Sequence, residues 1–311
     1  MQFSLTILGS SSALPTSKRF PTAHLLNVNE RFFLIDCGEG AQMQLRKFKT
    51  RFGKINRIFI SHTHGDHIFG LFGLFSTFQL LGRKLDLHIH APGELKALID
   101  FYTANFGENL DYRIILHSLG FKRPMLIYRD NSVEVTSFPL KHRTPTCGFL
   151  FRETPVLLNL RKEAMDIYKP GIAEIHEIKM GKNLILHSGM VIPNSELTLP
   201  PWKPRTYAYC SDTVFDPGIA EIVKGVDLLY HEATFSAADE AVARDTLHTT
   251  TTQAAYIAKM AEAKKLLIGH FSSRYKNIEL IVEEAKSIFP ETIGVNDGDT
   301  FIVERQRTGS L

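Results

Sequence analysis

Four side chains that could bind a metal ion are crowded into residues 62–67. They are His62, His64, Asp66 and His67, in the pattern H-x-H-x-D-H, and a short apolar segment precedes them. Imidazole nitrogens and carboxylate oxygens are common zinc ligands. In an extended chain His62 and His64 point the same way, and Gly65 would let the chain bend so that Asp66 and His67 face a neighbouring position. One short loop is therefore expected to supply ligands to two metal ions.

Three further candidate ligands each follow an apolar segment that is typical of a buried strand. His142 ends SFPLKH, Asp212 ends TYAYCSD and His270 ends KLLIGH. Ligand sites in α/β sheets lie at the carboxyl ends of the strands, so these side chains are expected to meet at one sheet edge. Together with residues 62–67 they would complete a centre for two metal ions.

The seven candidates divide between two ions. We expect His62, His64 and His142 to bind the first ion. We expect Asp66, His67 and His270 to bind the second ion, and Asp212 to bind both. Asp212 is expected to bridge because a carboxylate has two oxygens, whereas a neutral imidazole has one free lone pair. Two zinc ions about 3.5–4 Å apart would lower the pKa of a water and stabilise an in-line displacement. This chemistry suits the hydrolysis of a phosphodiester, an amide or a thioester, and the ligands alone do not choose among them.

The elements that must position these ligands indicate an α/β protein. Short apolar, β-rich segments are separated by Gly, Ser, Pro and Asn and alternate with helical segments. Strands are predicted early in FSLTILG, AHLLNV and RFFLIDCG and again from Arg57 to Ile60, and helices over residues 40–50, 69–81, 216–224, 250–263 and 276–287. Phenylalanines recur at steps of three in the second helix, which predicts core packing or a subunit interface: Phe69, Phe72, Phe75 and Phe78.

Residues 151–200 differ from the rest of the chain. Strand and helix signals are mixed there, with Lys169-Pro170-Gly171 and a Pro200-Pro201 pair. We interpret them as an arm inserted into a single domain of residues 1–311. A second unusual segment, residues 41–57, has six basic residues and no acidic one. It is either a solvated face or a surface that contacts phosphates.

Composition excludes several classes of protein. The 311 residues are 44% hydrophobic and 22% charged, which excludes a wholly disordered chain. The net charge of +3 excludes a polycation that holds nucleic acid by bulk charge. The three cysteines, Cys37, Cys147 and Cys210, are odd in number and far apart, so neither a thiolate zinc site nor a disulfide framework is expected, and a reducing cytoplasm fits. No apolar stretch is long enough for a transmembrane helix, so we expect no membrane association.

Several motifs give the chain a resemblance to a known family. HTHGDH from residue 62, DCGEG from residue 36 and SDT from residue 211 resemble the metallo-β-lactamase superfamily. Within it, the segments LTILGSSSALPT, HTHGDHIFGLFGL, HEAT, LHTTTTQAA and GHFSSRY are similar to the short form of the ribonuclease Z family, the endonucleases that process the 3′ ends of tRNA. The likeness extends over nearly the whole chain.

That resemblance implies a fold, a reaction and partners. The fold would be a four-layer αβ/βα sandwich with two Zn²⁺ at one edge, and residues 151–200 would be a flexible arm that grips the elbow of tRNA. The enzyme would cut precursor tRNA after the discriminator nucleotide, leaving a 3′-hydroxyl on the tRNA and a 5′-phosphate on the trailer. It would be a cytoplasmic homodimer in which the arm of one subunit presents tRNA to the other active site.

The resemblance also implies catalytic roles. Asp66 would bind the second zinc and accept a proton from the attacking water. His248 would lie near the scissile phosphate and protonate the leaving oxygen, with Glu232 as its orienting partner. Simpler roles stay open: His248 as a residue at a helix start, and Glu232 as a structural side chain. The family's P-x-K-x-R-N loop corresponds to PTSKRF here, where Pro15 and Arg19 match.

Two other functions share parts of this pattern. A hydrolase of a small phosphodiester or ester would need the same ligands but no arm. A non-catalytic RNA-binding module would need neither a bridging Asp212 nor the complete ligand set.

Overall fold

The computed structural model of the chain describes residues 2–107 and 110–308. These residues form two units: one contains residues up to Arg152 and Thr206–Val303, and the other contains Glu153–Arg205 and the residues after Val303. Two seven-stranded sheets, as far as the described residues extend, form the framework of the first unit. Strands and helices are numbered in chain order below.

The first sheet has the strand order β16-β1-β2-β3-β4-β5-β6. Its strands are β1 Phe3–Gly9, β2 Ala23–Val28, β3 Arg31–Ile35, β4 Ile55–Phe59, β5 Leu87–Ala91, β6 Ile114–Ser118 and β16 Thr300–Ile302. Strands β3 to β6 are parallel, whereas β16, β1, β2 and β3 pair in antiparallel fashion. The carboxyl ends of β3 and β4 therefore lie at the same edge.

The second sheet has the strand order β15-β14-β13-β12-β9-β8-β7. Its strands are β7 Met125–Arg129, β8 Val133–Leu140, β9 Thr146–Glu153, β12 Thr206–Cys210, β13 Leu228–Glu232, β14 Leu266–Gly269 and β15 Thr292–Gly294. Strands β12 to β15 are parallel, and β12 pairs with β9 in antiparallel fashion. Parallel pairing places the ends of β12, β13 and β14 side by side.

Helices cover the outer faces of both sheets. Those of the first unit are α1 Ala41–Lys47, α2 Gly65–Ile68, α3 Gly70–Leu80, α4 Leu95–Phe106, α8 Gly218–Ile222, α9 Glu240–Thr246, α10 Thr251–Met260 and α11 Glu279–Lys286. One apolar core lies between the first sheet and α1, α3 and α4, and another lies between the second sheet and α8, α10 and α11. A third core, rich in Phe and Tyr, joins the two sheets. The predicted four-layer sandwich is thus confirmed.

The phenylalanine stripe of α3 splits between two environments. Phe75 and Phe78 are buried in the helix-facing core, Phe72 is partly buried, and Phe69 is 61% exposed. A helix turns by about 100° per residue, so residues at steps of three drift by about 60° each, and positions nine apart lie on opposite faces. Core packing is therefore confirmed for Phe75 and Phe78, whereas Phe69 lies outside the core and the alternative of a subunit interface stays a prediction there.

The basic residues of segment 41–57 are mostly exposed. Arg51 lies 3.5 Å from Glu30, while the Arg57 guanidinium packs 3.9 Å from the centre of the Tyr128 ring. A cation over an aromatic face is attracted by the ring quadrupole, so Arg57 belongs to the packing between the sheets. Phosphate contact by the remaining basic residues stays a prediction.

The second unit contains most of residues 151–200. Its elements are α5 Lys162–Tyr168, α6 Ile172–Lys179, the strand pair β10 Leu184–Ile185 and β11 Val191–Ile192, and α7 Asn194–Leu197. Five buried side chains form its small core: Ala164, Ile178, Leu184, Ile192 and Leu197. Glu153 and Arg205 form a buried bidentate ion pair with two N–O distances of 2.8 Å. Residues 151 and 152, by contrast, still pair with β12 in the second sheet.

None of the helices in the described part of the chain is long and apolar enough to span a membrane.

Candidate metal centre and active site

The loop after β4 carries four candidate ligands, two in extended backbone and two in a helical turn. His62 and His64 lie in the extended stretch before α2, and Asp66 and His67 lie in the first turn of that helix. The loop therefore bends as predicted, but Gly65 does not adopt a left-handed backbone. Instead the Phe69 ring fills the space beside it: a Cβ at this position would lie 2.3 Å from a ring carbon. A larger residue at this position would have to displace the exposed Phe69 ring.

The other three candidate ligands come from the second sheet. His142 and Asp212 follow the ends of β8 and β12 by two residues, and His270 follows β14 directly. His270 has a φ of 61°, and so does not continue the strand. Backbone in this region is uncommon outside glycine and is enriched at functional sites. The structure thus brings all seven predicted ligands to facing edges of the two sheets.

The first cluster consists of His62, His64, His142 and Asp212, with one potential ligand atom from each residue and all atoms within 4.8 Å of one another. His62 Nε2 lies 3.0 Å from His64 Nδ1 and 3.6 Å from Asp212 Oδ2. His142 Nε2 lies 3.9 Å from the same Oδ2 atom. Four ligand atoms at these spacings could surround one divalent ion.

The second cluster consists of Asp66, His67 and His270. Asp66 Oδ2 lies 3.4 Å from His67 Nε2 and 3.5 Å from His270 Nε2. Asp212 Oδ1 lies 3.5 Å and 3.3 Å from the same two nitrogens. Asp212 therefore faces the first cluster with one oxygen and the second with the other, which is the arrangement expected of a bridging ligand.

Two buried nitrogens at the second cluster lack a hydrogen-bond partner. Within the described chain, His67 Nε2 and His270 Nε2 are shielded from solvent and make no hydrogen bond of good geometry. Buried polar atoms are nearly always satisfied, and exceptions call for an explanation such as an ion. Nitrogen lone pairs that converge with carboxylate oxygens are the ligand set that zinc prefers. The residues present therefore fit a divalent metal ion.

The opposite ring nitrogen of each buried imidazole is anchored. The contacts are His67 Nδ1 to Asp36 Oδ2 at 2.7 Å, His62 Nδ1 to Ser61 Oγ at 3.0 Å, His142 Nδ1 to the Leu247 carbonyl at 2.9 Å, and His270 Nδ1 to Thr234 Oγ1 at 2.8 Å. Such contacts fix the orientation of metal-binding imidazoles and raise their basicity. The Nε2 atoms are thereby left to point into the centre.

Asp36 is a site residue to which sequence reasoning gave no role. It is fully buried at the end of β3, has a φ of 52°, and accepts hydrogen bonds from the Ser61 amide, the Ser61 hydroxyl and the Tyr209 hydroxyl as well as from His67. The DCGEG motif drew attention to this position. Its partners are distant in sequence, so the motif could not identify them.

Burial and charge set the protonation of the centre. Burial lowers the pKa of His62, His64 and His142, so these rings are neutral near pH 7 and can offer a lone pair. Burial also opposes charge on His67, but the neighbouring carboxylates, Asp66 first among them, raise its pKa. A bound divalent cation would balance the charge of these carboxylates in place of protonated His67, which would then release its proton.

His248 and Glu232 form a pair beside the two clusters. His248 Nδ1 lies 3.0 Å from Glu232 Oε1. Burial alone would lower the pKa of His248, but the Glu232 carboxylate overcomes this effect and raises the pKa to about 9. Glu232 is fully buried and also accepts hydrogen bonds from the amides of Thr213, Thr234 and Thr249. The geometry fits an imidazolium held in place by a fixed carboxylate.

The alternative role of His248 at a helix start is not what the structure shows. Helix α10 begins at Thr251, and Thr250 is the residue whose side chain caps it. His248 instead lies within 4.8 Å of potential ligand atoms of Asp212 and His270. It also lines a cavity of about 320 Å³ together with His64, Asp66 and His142. This cavity is the opening through which a substrate could reach the centre.

Arg19, which matches the family's N-terminal loop, turns inward. Its guanidinium donates hydrogen bonds to Ser10 Oγ at 2.9 Å, to the Val295 carbonyl at 2.8 Å and to Asn296 Oδ1 at 2.8 Å. Arg19 therefore anchors the loop to the body of the first unit.

Comparisons with known proteins identify the family of this chain. A protein-family model for the anti-Pycsar protein Apyc1 matches residues 3–98. Ribonuclease Z of Bacteroides thetaiotaomicron is 50% identical over 292 residues, which cover 94% of this chain and 92% of that protein. Ribonuclease Z of Porphyromonas gingivalis is 45% identical over 295 residues, covering 95% and 97%. The crystal structure of human tRNase Z, short form, has a TM-score of 0.70 and 26% identity, and the match covers 96% of this chain and 98% of that one.

These similarities differ in extent. The Apyc1 model matches only the N-terminal part of the chain, whereas both ribonuclease Z proteins align with nearly all of it at well above 30% identity. The family resemblance drawn from the motifs is thereby confirmed. The chain belongs to the ribonuclease Z family and has the metallo-β-lactamase fold.

Proposed function

We propose that this protein is the endonuclease that removes 3′ trailers from precursor tRNA. The cut falls after the discriminator nucleotide and leaves a 3′-hydroxyl on the tRNA and a 5′-phosphate on the trailer. The observation that carries the proposal is the position of Asp212, whose two oxygens face two clusters of candidate ligands in a member of the ribonuclease Z family. A degenerate RNA-binding module would have no need for such a bridging carboxylate.

The metal content proposed for the centre is two Zn²⁺ per subunit. His62, His64 and His142 would hold one ion, Asp66, His67 and His270 would hold the other, and Asp212 would bind both; the short distances among these side chains support the assignment. Bound there, zinc supplies Lewis acidity, which lowers the pKa of a water and stabilises charge on the phosphate oxygens. None of the three cysteines belongs to either cluster, so imidazole and carboxylate are the candidate ligands.

Three residues of the chain act on protons around the phosphate. His248 carries the proton that the leaving 3′-oxygen of the tRNA needs, and Glu232 orients the imidazole and stabilises its charge. Asp66 is a ligand of the second ion and the acceptor for the proton of the attacking water. Its pKa is lowered, chiefly by His67 against the effect of burial. This keeps the carboxylate ionised, which both the ligand role and the acceptor role require.

The test is cleavage of a defined precursor. Zinc-loaded protein is incubated with a 3′-extended tRNA with or without an encoded CCA, beside the His64→Ala variant. We expect one cut after the discriminator with the wild-type protein and at least a 100-fold slower reaction with His64→Ala. Failure of the wild-type protein to cut near the discriminator, while it still hydrolyses bis(p-nitrophenyl) phosphate, would favour the small phosphodiesterase instead.

Removal of the arm should separate RNA recognition from chemistry. We propose that residues 151–200 form a tRNA-binding exosite, so replacing residues 155–195 by a short Gly-Ser linker should abolish tRNA cleavage and spare bis(p-nitrophenyl) phosphate turnover. A milder variant, Lys162→Glu with Lys169→Glu, reverses two exposed charges and should raise KM for tRNA. Unimpaired tRNA processing by the deletion variant would reject this role for the arm.

We further propose a homodimer in the cytoplasm. Helices α3 and α4, with the residue before α3, expose large apolar side chains: Phe69, Leu80, Leu98, Phe101 and Phe106. Exposed apolar patches of this kind mark interaction surfaces, so Phe101→Asp should convert a dimer to a monomer in light scattering. Tyr256→Asp, an equally drastic change on the exposed side of α10, should leave the dimer intact. A wild-type protein that is monomeric at micromolar concentration would refute the proposal.

A cytoplasmic location is supported by the substrate and by three buried, unpaired thiols. Cell fractionation with a tagged protein tests it directly. Recovery in a membrane or secreted fraction would count against it.

A further inference from the structure

One hydrogen bond connects the two sheets directly behind the second cluster. The Tyr209 hydroxyl, on β12 of the second sheet, donates to Asp36 Oδ2 over 2.6 Å. Asp36, at the end of β3 of the first sheet, accepts on the same oxygen from His67 Nδ1 over 2.7 Å. Tyr209 is also three residues before Asp212, so the same strand supplies the bridging carboxylate.

All three members of this chain of contacts are shielded from water. Tyr209, Asp36 and His67 each have 0% relative exposure. Burial and the Asp36 carboxylate raise the pKa of Tyr209, so its hydroxyl keeps its proton and remains a donor. Hydrogen bonds to a carboxylate are roughly twice as strong as neutral ones, and a low dielectric strengthens them further. The position of Asp36 is thus determined from both sheets.

A second contact between the sheets lies nearer the first cluster. Ser61 Oγ is 2.9 Å from Ser211 Oγ and also donates to Asp36 Oδ2 over 2.8 Å. Ser61 contacts His62, whereas Tyr209 reaches His67 through Asp36. Loss of the tyrosine hydroxyl would therefore affect mainly the cluster of Asp66, His67 and His270, because Ser61 still constrains the other.

We propose that Tyr209 is a positioning residue that acts through Asp36 to hold His67 in the orientation that the second metal ion requires. This role rests on the proposed two-metal centre. Tyr209 would thereby align His67 and the other ligands of the first sheet with Asp212, the bridging ligand from the second sheet. Contacts of this kind behind metal ligands typically change metal affinity by about 10- to 100-fold.

Tyr207 offers a matched control. It lies on the same strand, is also fully buried, and its hydroxyl makes one contact to a first-sheet residue, 2.9 Å from His24 Nδ1. Tyr207→Phe removes a buried hydroxyl of the same kind without touching Asp36. Both variants leave a buried polar group with one partner fewer, so both are expected to lower Tm.

The experiment is a titration of Zn²⁺ into chelator-treated wild-type, Tyr209→Phe and Tyr207→Phe proteins, with Tm measured in parallel. We expect two binding events in all three, with one of them weakened about 10- to 100-fold in Tyr209→Phe alone. Tyr209→Met, which has a different shape but also lacks the hydroxyl, should show the same loss. Equal zinc affinities for wild-type protein and Tyr209→Phe would overturn the proposal, even if Tm falls.

The site that weakens is identified in single-site backgrounds. His64→Ala disables the first cluster, so adding Tyr209→Phe should weaken the remaining binding event; His270→Ala disables the second, so adding Tyr209→Phe should change little. The reverse pattern would overturn the assignment to His67. A wild-type protein that binds fewer than two ions would refute the two-metal centre itself. Two normal binding events in both wild-type protein and Tyr209→Phe would instead refute only the role of Tyr209.

Discussion

Asp212→Asn should lower kcat/KM for precursor tRNA by on the order of 1,000-fold or more and should reduce bound zinc to at most one ion per chain. The carboxylate faces both clusters with separate oxygens, at 3.6 Å from His62 Nε2 and 3.3 Å from His270 Nε2. An amide has one oxygen and no charge, so it can serve one ion and leaves the other without its shared ligand. A two-metal site supplies several kcal/mol of transition-state stabilisation, and each 1.36 kcal/mol corresponds to a tenfold rate change.

Asp86→Asn is the matched control for this substitution. Asp86 pairs with Arg113 at the surface, and its carboxylate is no part of the centre. That variant should bind two zinc ions and cleave tRNA at the wild-type rate. Elemental analysis and single-turnover cleavage check both variants, and an Asp212→Asn protein with two zinc ions and unimpaired cleavage would contradict the bridging assignment.

The candidate ligands could be predicted because metal coordination restricts the side-chain types and strand ends restrict their positions. H-x-H-x-D-H after a short strand is a local signal, and each of His142, Asp212 and His270 ends a recognisable apolar segment. The sheet order then brings β4, β12 and β14 to one region, where the seven side chains form two clusters. Nothing local reports that sheet order, and the family resemblance implied only a four-layer sandwich with the metals at one edge.

The contacts that orient the ligands could not be predicted in the same way. Asp36 is 31 positions from His67 and 173 from Tyr209, so the hydrogen bonds that join them depend on how two sheets pack. A buried tyrosine on β12 looks, in sequence, like any other apolar strand residue. Only the structure distinguishes Tyr209, which reaches Asp36, from Tyr207, which reaches His24.

Helix geometry also divides the phenylalanines of α3. Residues at steps of three drift by about 60° per step, so Phe69 lies away from the face that holds Phe78. Two short elements also lie outside the predicted segments: β15, with three residues, and α9, with seven.

His248→Gln should lower tRNA cleavage by about 100- to 10,000-fold, the usual contribution of a general acid, while the zinc content stays at the wild-type level. The leaving group in tRNA is a sugar 3′-oxygen, which departs poorly without a proton. Nitrophenolate departs well unprotonated, so turnover of bis(p-nitrophenyl) phosphate should fall by less than about tenfold. His88→Gln, on β5 of the first sheet, is the control and should keep both activities.

Glu232→Gln tests the partner of this acid. The pKa of His248 is raised to about 9 by the Glu232 carboxylate against the effect of burial, so the imidazole is protonated at pH 7 and loses its proton only as pH rises through that value. In metal-free protein, an NMR titration should show a lower pKa for His248 in Glu232→Gln, and tRNA cleavage should fall in the same direction as in His248→Gln. A general acid must matter more where the leaving group is poorer. Equal losses of activity on tRNA and on bis(p-nitrophenyl) phosphate would therefore make His248 a ligand or a structural residue, and so would loss of zinc from His248→Gln.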